Sequence, residues 1–261
     1  MTDHLRTEQD AHGIAWLTFN RPQLRNATSE EMITALHRTL LRIEADPSVR
    51  CVVLRGAGDH FMAGGDINAF ATIASQPAPE RRALMQERLA RSAPIFSLLE
   101  RLPQPVVASV RGAVAGGGVG FVLSCDLAIA ASDARFVLAQ VRVGLSPDGS
   151  SSWHLPRTVG MKKAKQMALL GEMLDAPTAL AWGLVNQVVA PEEVQAVTER
   201  IARQLAASPR HALAHAKRLL NRSLGNSLDE QVALEGQAIG LCAESDDFVA
   251  GIRAFQASRK P

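Results

Sequence analysis

The chain has 261 residues, 47% hydrophobic and 21% charged, an ordinary globular composition with apolar mass for one large core or two small ones. Its 28 Lys and Arg against 26 Asp and Glu leave a net charge of +2, and with no Tyr and three Trp it offers neither bulk attraction to nucleic acid nor a base-stacking surface. Three widely spaced cysteines in apolar runs (Cys51, Cys125, Cys242), a polar N-terminus and an apolar stretch at 114–131 broken by glycines and Asp126 predict a cytoplasmic protein with free thiols and no membrane span.

The segment 14–19 alternates as a strand and ends at Asn20-Arg21-Pro22. Thr28-Ser29-Glu30-Glu31 reads as a capping box, with Met32, Leu36, Leu40 and Ile43 following at helical spacing. Cys51-Val52-Val53-Leu54 reads as a buried strand that runs into a first glycine turn, Ala63-Gly64-Gly65-Asp66-Ile67. A helix near 80–102 is closed by Pro103 and Pro105, which introduce a strand at 105–110. A second glycine turn, Gly112 to Gly120, opens a short apolar helix, and Leu127 to Ala131 is another strand. Ala134 to Val143 reads as extended, leading into Gly144-Leu145-Ser146-Pro147-Asp148-Gly149. From Met161 to Ser258 the pattern is nearly all helical, with starts at Pro191, Ser208-Pro209 and Ser227. Strand–helix alternation followed by a helical tail predicts an α/β protein with a parallel sheet and a C-terminal helical extension.

The two glycine turns each follow an apolar strand and precede a helix start. Glycine lets backbone approach a ligand closely, and a helix start leaves N–H groups unpaired with positive partial charge. Two such groups, from Gly65 and Gly117, are therefore candidates to converge on one negative oxygen. Neither turn matches G-x-G-x-x-G, since residue 121 is Phe, and no Gly-Lys-Ser/Thr phosphate loop is present. Seven scattered histidines show no metal-ligand spacing, and Ser150-Ser151-Ser152 lacks the G-x-S-x-G elbow of serine hydrolases. Asp66 reads as a helix N-cap, Asp126 as a structural acid and Asp133 as a turn residue, with Glu100 a distant catalytic possibility.

Asn20-Arg21-Pro22, Ala63 to Ile67, Gly112 to Gly120, Cys125-Asp126-Leu127, Gly144 to Asp148 and Ala181-Trp182-Gly183-Leu184-Val185 resemble the crotonase (enoyl-CoA hydratase/isomerase) family in order and spacing. The resemblance implies a crotonase fold of repeated ββα turns with a helical trimerisation region, here a core at 1–200 and an oligomerisation region at 201–261. It implies an acyl-CoA substrate, a homotrimer or dimer of trimers, no metal or redox cofactor, and Gly65 and Gly117 as oxyanion donors. Ala63, Gly64, Ile67, Gly116, Gln140 and Arg25 become substrate-binding candidates, with Arg259 and Lys260 as further basic contacts for CoA. Asn68 stands where hydratases often carry Lys.

Hydratases of the family use two glutamates, at positions that here are Gly120 and Gln140; neither can serve as a carboxylate base. Asp148 resembles instead the catalytic acid of dienoyl-CoA isomerases and of ring-epoxide isomerases of phenylacetate degradation. Moving a double bond needs one carboxylate that takes a proton from one carbon and returns it to another. Pro-Asp-Gly is also a turn signal, so sequence alone leaves Asp148 as turn residue or proton shuttle. The expected activity is enoyl-CoA isomerisation. A hydratase with a non-standard acid/base pair is the alternative, and a non-catalytic CoA- or RNA-binding relative comes from outside the enzymes.

Overall fold

Residues 14–19 and 106–110 are buried at every position, because the sheet they form is covered on both faces. The computed structural model describes residues 3–258. Within them the strands are β1 (Leu5–Gln9), β2 (Ile14–Phe19), β3 (Cys51–Gly56), β4 (Val106–Val110), β5 (Ala113–Ala115), β6 (Leu127–Ala131), β7 (Arg135–Val137), β8 (Met173–Asp175) and β9 (Gln187–Val189). The helices are α1 (Glu30–Ala45), α2 (Ile67–Ala74), α3 (Ala78–Arg101), α4 (Gly117–Leu123), α5 (Ser151–Val159), α6 (Met161–Leu170), α7 (Ala176–Ala181), α8 (Val194–Ala207), α9 (Arg210–Arg222), α10 (Leu228–Ala243) and α11 (Asp246–Ser258).

The main sheet has the order β1-β2-β3-β4-β6-β9, antiparallel only between β1 and β2. A smaller sheet, β5-β7-β8, stands beside it. Alternation along each strand divides the main sheet into two apolar layers. Leu17, Phe19, Leu54 and Ala108 share one with Met32, Leu36 and Leu40 of α1 and with Ile95 of α3. Ile14, Trp16, Val53 and Val107 share the other with Val194, Ala202 and Ala206 of α8. Each fully buried Leu, Val or Phe in these layers contributes roughly 1.5–3 kcal/mol, so the period-2 pattern fixes the strand faces firmly.

The C-terminal ends of β3 and β4 release the two glycine turns side by side, at the edge where open α/β sheets form their ligand crevices. The predicted α/β class, parallel sheet and helical tail are all present.

Several local expectations are corrected. Residues 5–9 form β1, an edge strand with one buried residue and hence almost no apolar signal. The α1 cap is Ser29, not Thr28: its side chain accepts from the Met32 N–H, while the Thr28 N–H donates to the Gly64 carbonyl at 2.7 Å. Ala134 to Val143 is extended only over β7, and residues 139–143 tighten into a 3-10 turn closed by Gly144 at φ 73°. The C-terminal half contains β8 and β9, strands of three residues each, too short for an alternation to register. Ser227 caps α10 in a capping box, whereas α8 starts beyond Pro191, after Glu193. α8 runs through position 200 and packs on the sheet.

The C-terminal helices are tied down by one buried cation. Lys217 of α9 meets Asp126 at 2.8 Å and donates to the carbonyls of Leu99 at 2.9 Å and Gln104 at 3.2 Å. Burial pushes the Asp126 carboxyl up; Lys217 and the Val106 N–H pull it back. Lys217→Met is expected to lose about 3–5 kcal/mol of unfolding free energy in urea denaturation, because it leaves a buried carboxylate and two carbonyls unpaired. Adding Asp126→Asn should recover part of that loss.

Candidate active site

The first glycine turn is held by the loop that follows β2. Asn26 is fully buried at φ 57° and spans the turn, its side-chain amide donating to the carbonyls of Ala57 at 2.9 Å and His60 at 2.6 Å. Its side-chain oxygen accepts from the Arg21 N–H at 2.9 Å. Arg21 in turn donates to the Ala27 carbonyl and pairs with Asp66 at 2.9 Å, at the cap of α2. The Asn20-Arg21-Pro22 signature is thus a staple on the first turn. Asp66 is the N-cap expected of it, accepting from the Asn68 N–H at 3.0 Å.

The two turns are zipped together by backbone. Met62 donates to the Ala113 carbonyl at 3.0 Å and accepts from the Ala115 N–H at 2.9 Å. Gly64, at φ 85°, lies so near that a Cβ would sit 2.6 Å from the Ala115 carbonyl oxygen. Gly116 adopts φ 53°, ψ −121°, a conformation effectively reserved for glycine. His60 helps from behind, its Nδ1 accepting from the Ala113 N–H at 3.1 Å, so it serves structure. Gly65 is covered by the Phe70 ring, 2.3 Å from where a Cβ would be; the same position at Gly117 is open. The N–H groups of Gly65 and Gly117 take no part in the backbone hydrogen bonding described.

Both amides border two adjoining cavities, an inner one of about 260 Å³ and an outer one of about 460 Å³. Gly65, Phe70, Leu89, Gly117 and Asp148 line both. Phe96, Phe121 and Ile33 give the inner cavity an apolar wall alongside the charged Glu30, Glu87, Arg88 and Arg91, and Leu24, Ala27 and Leu145 give the outer one an apolar lining. Ala63, Ile67, Gly116 and Gln140 line the outer cavity and Gly64 the inner one. Arg25 lines neither; its carbonyl accepts from the Ala63 N–H at 2.9 Å, and its φ of 48° closes the turn after Pro22–Leu24. Arg259 and Lys260 lie outside the described residues. Glu100 borders neither cavity; its carbonyl accepts from Asn221.

Among the described residues, Asp148 alone of the carboxylates that line the two cavities has no cation within ion-pair distance. Glu30 and Glu87 are both held by Arg91, and Asp66 by Arg21. Asp148 accepts from the Gln140 side-chain amide, Nε2 to Oδ1, at 2.8 Å. Gln140 is buried, and its Oε1 has no partner. Asp148 also starts the turn into α5: its carbonyl accepts from the Ser151 hydroxyl at 2.6 Å and the Ser151 N–H at 3.1 Å. The Asp148 backbone thus makes the turn that Pro-Asp-Gly signals, and its side chain lines both cavities.

A family model described as enoyl-CoA hydratase/isomerase matches residues 9–261. The chain belongs to the enoyl-CoA hydratase/isomerase family. It is 38% identical over 249 residues to 1,2-epoxyphenylacetyl-CoA isomerase of Escherichia coli K12, covering 95% of this chain and 94% of that protein. It is 33% identical over 248 residues to crotonyl-CoA hydratase of Syntrophomonas wolfei, covering 95% and 93%. The crystal structure of an enoyl-CoA hydratase of Mycobacterium smegmatis superposes with a TM-score of 0.91 at 34% identity, over 100% of this chain and 98% of that one.

In this chain, position 120 has no room for a side chain unless neighbouring backbone moves. A Cβ on Gly120 would lie 1.8 Å from the Gly149 carbonyl oxygen, so a side chain there requires the backbone at 149 to shift. Two residues escaped the sequence reading. Phe70 covers the first turn, and Arg88, half-buried on α3, lines the inner cavity. The signal for Arg88 was its place one helical turn beyond Leu84, on a stripe that faces the cavity.

Gly-to-Ala changes inside exposed helices usually stabilise, but Gly120→Ala is expected to cost about 2 kcal/mol or more in denaturation, as an overpacked core does. Gly120→Glu combined with Gln140→Glu should fail to express as a folded hydratase. Asp66 carries a pH dependence. Burial works to raise its carboxyl, but the Arg21 and Asn68 hydrogen bonds outweigh it and hold the group below its ordinary value. A depressed carboxylate stabilises above the unfolded pKa and loses that contribution as pH falls through the folded one. The acid limb of a stability–pH curve should accordingly be shallower in Asp66→Asn.

Proposed function

We propose that this protein is an enoyl-CoA isomerase. The Gly65 and Gly117 amides hold the thioester oxygen as it becomes an enolate, and Asp148 carries a proton between carbons of the acyl group. The observation that carries the reading is that, among the described residues, Asp148 is the carboxylate that lines both cavities with no cation within ion-pair distance, beside two backbone amides that take no part in the backbone hydrogen bonding. Removing a proton beside a thioester puts charge on the carbonyl oxygen, and each fixed donor aimed there is worth roughly 3–4 kcal/mol. One base suffices because the same carboxylate returns the proton. Gln140 pins one Asp148 oxygen and leaves the other for the substrate.

The 1,2-epoxyphenylacetyl-CoA isomerase relative favours isomerisation, and hydratases stand among the relatives too. Against hydration in the two-glutamate manner stand the amide at 140 and the closed position at 120. The outer cavity would take the thioester and pantetheine end, through Ala63 and Ile67, and the inner one the acyl group. CoA enters as part of the substrate; the proposed chemistry draws on no metal or redox cofactor. We further propose a homotrimer or dimer of trimers in the cytoplasm, since Leu220, Leu228 and Ile239 expose apolar surface on the C-terminal helices. No helix among the described residues is long and apolar enough to cross a membrane.

Double-bond migration in a 3-enoyl-CoA and hydration of crotonyl-CoA, assayed side by side, test the reading. Migration should dominate and fall at least about a thousandfold in Asp148→Asn, consistent with loss of the sole acid–base group. Hydration that dominates and survives that substitution overturns it.

Gly117→Pro tests the donor separately. Gly117 is the first residue of α4, where proline is tolerated, and open space faces its Cβ position, so the backbone accepts a ring whose Cδ replaces the N–H and crowds the oxygen it would hold. It should lower kcat by about 10²–10³-fold with a near-native melting temperature. Light scattering should give three or six times the chain mass.

A further inference from the structure

Arg88 is the one cation on the inner cavity that the protein leaves without a carboxylate. Its neighbour Arg91 is neutralised by Glu30 and Glu87, whereas no acid lies within ion-pair distance of Arg88 among the described residues. It is nonetheless held in place. One terminal nitrogen donates to Thr28, to the hydroxyl at 3.0 Å and the carbonyl at 3.3 Å, and the guanidinium lies 5.2 Å from the centre of the Phe70 ring. Thr28 is bridged to the first glycine turn and Phe70 roofs Gly65, so the group is fixed relative to the oxyanion amides. Burial lowers its pKa, while Asp66, Asp148 and Glu30 act the other way. A guanidinium has five N–H donors, and Thr28 engages only one of its nitrogens.

Once an acyl group fills the cavity and displaces water, a fixed guanidinium with free N–H donors is costly unless that group supplies an acceptor. We infer that Arg88 selects acyl groups carrying a neutral hydrogen-bond-accepting oxygen, such as an ether, epoxide or carbonyl, over plain hydrocarbon acyl groups of the same shape. A carboxylate is the poorer partner. The inner cavity already holds Glu30, Glu87 and Asp148 against Arg88 and Arg91, so a further negative charge would add to an excess already present. The inference rests on the reading that this cavity receives the acyl group of a thioester, but not on what Asp148 does to it.

The test is calorimetric titration with two saturated thioesters of one shape, cyclohexylacetyl-CoA and tetrahydropyran-4-ylacetyl-CoA. Water favours leaving the ring oxygen outside, so a merely apolar cavity binds the cyclohexyl compound better. The native protein should bind the ring ether about tenfold more tightly, the scale of a hydrogen bond to a charged group. Arg88→Met should reverse the order, and Arg88→Lys should keep part of the preference. A native protein that binds the cyclohexyl compound as well or better overturns the proposal, even if Arg88→Met does not fold. So does an unchanged ratio in a folded Arg88→Met. Binding of neither compound overturns it together with the acyl-thioester reading. Neither thioester has a double bond to move, so the expected ratio in a protein that shows no isomerisation would defeat the isomerase reading alone.

Discussion

The site depends on the backbone seam between the two glycine turns. Met62 exchanges hydrogen bonds with the strand 113–115, and Gly64 comes within a Cβ's reach of the Ala115 carbonyl. Once that seam closes, the positions of the Gly65 and Gly117 amides are set by peptide geometry, with no side-chain rotamer left to adjust. Side-chain donors would have to be ordered at an entropic cost each time; main-chain donors are ordered when the fold forms. The same seam explains why much of the surrounding framework consists of staples. Asn26, Arg21, Asp66 and His60 all spend their hydrogen bonds on holding one turn or the other.

That division of labour decides which charged residues remain available for chemistry. Arg21 and Asp66 consume each other, and Arg91 consumes Glu30 and Glu87. Each of these residues lies at or near the cavities, and a survey by proximity alone would rank several of them beside Asp148. Pairing separates them. An acid held by an arginine resists protonation, which is the reverse of what a proton shuttle must do. Asp148 is held by an amide, which orients one oxygen without adding a charge.

The sequence revealed the fold wherever burial imposed a period. Residues 14–19, 51–54 and 106–110 announce themselves because alternate side chains enter two different apolar layers. The helix carrying Met32, Leu36, Leu40 and Ile43 does so because one stripe is buried against the sheet. β1, β8 and β9 stayed hidden for the opposite reason. They are edge or short strands with one buried residue or fewer, and β8 and β9 pair with strands distant in sequence. The glycines of the two turns were legible, since little else explains paired glycines after apolar strands. That Gly65 is roofed by Phe70, and Gly120 pressed on Gly149, was not: those neighbours come together only in three dimensions. Arg25 has a backbone role that its charge does not signal. A basic residue beside a binding loop invites a ligand role, while its backbone closes a turn and supports Ala63 through a carbonyl.

The contact between Gly120 and Gly149 links fold to chemistry most directly. In a helix, a glycine with no Cβ space lets another segment press onto the backbone, and the segment that does so is the one carrying Asp148. The price of a carboxylate at 120 is therefore displacement of the 148–150 turn, which Ser150 further anchors through its hydroxyl contact with Ser124 at 3.0 Å. A base at 120 and Asp148 in its present place exclude each other sterically. The absence of an acid at 120 and the placement of Asp148 thus go together, and the amide at 140 fits both by donating a hydrogen bond where a carboxylate would repel Asp148. On the proposed reading, a site with one base follows from how closely these two glycines approach, before any substrate enters.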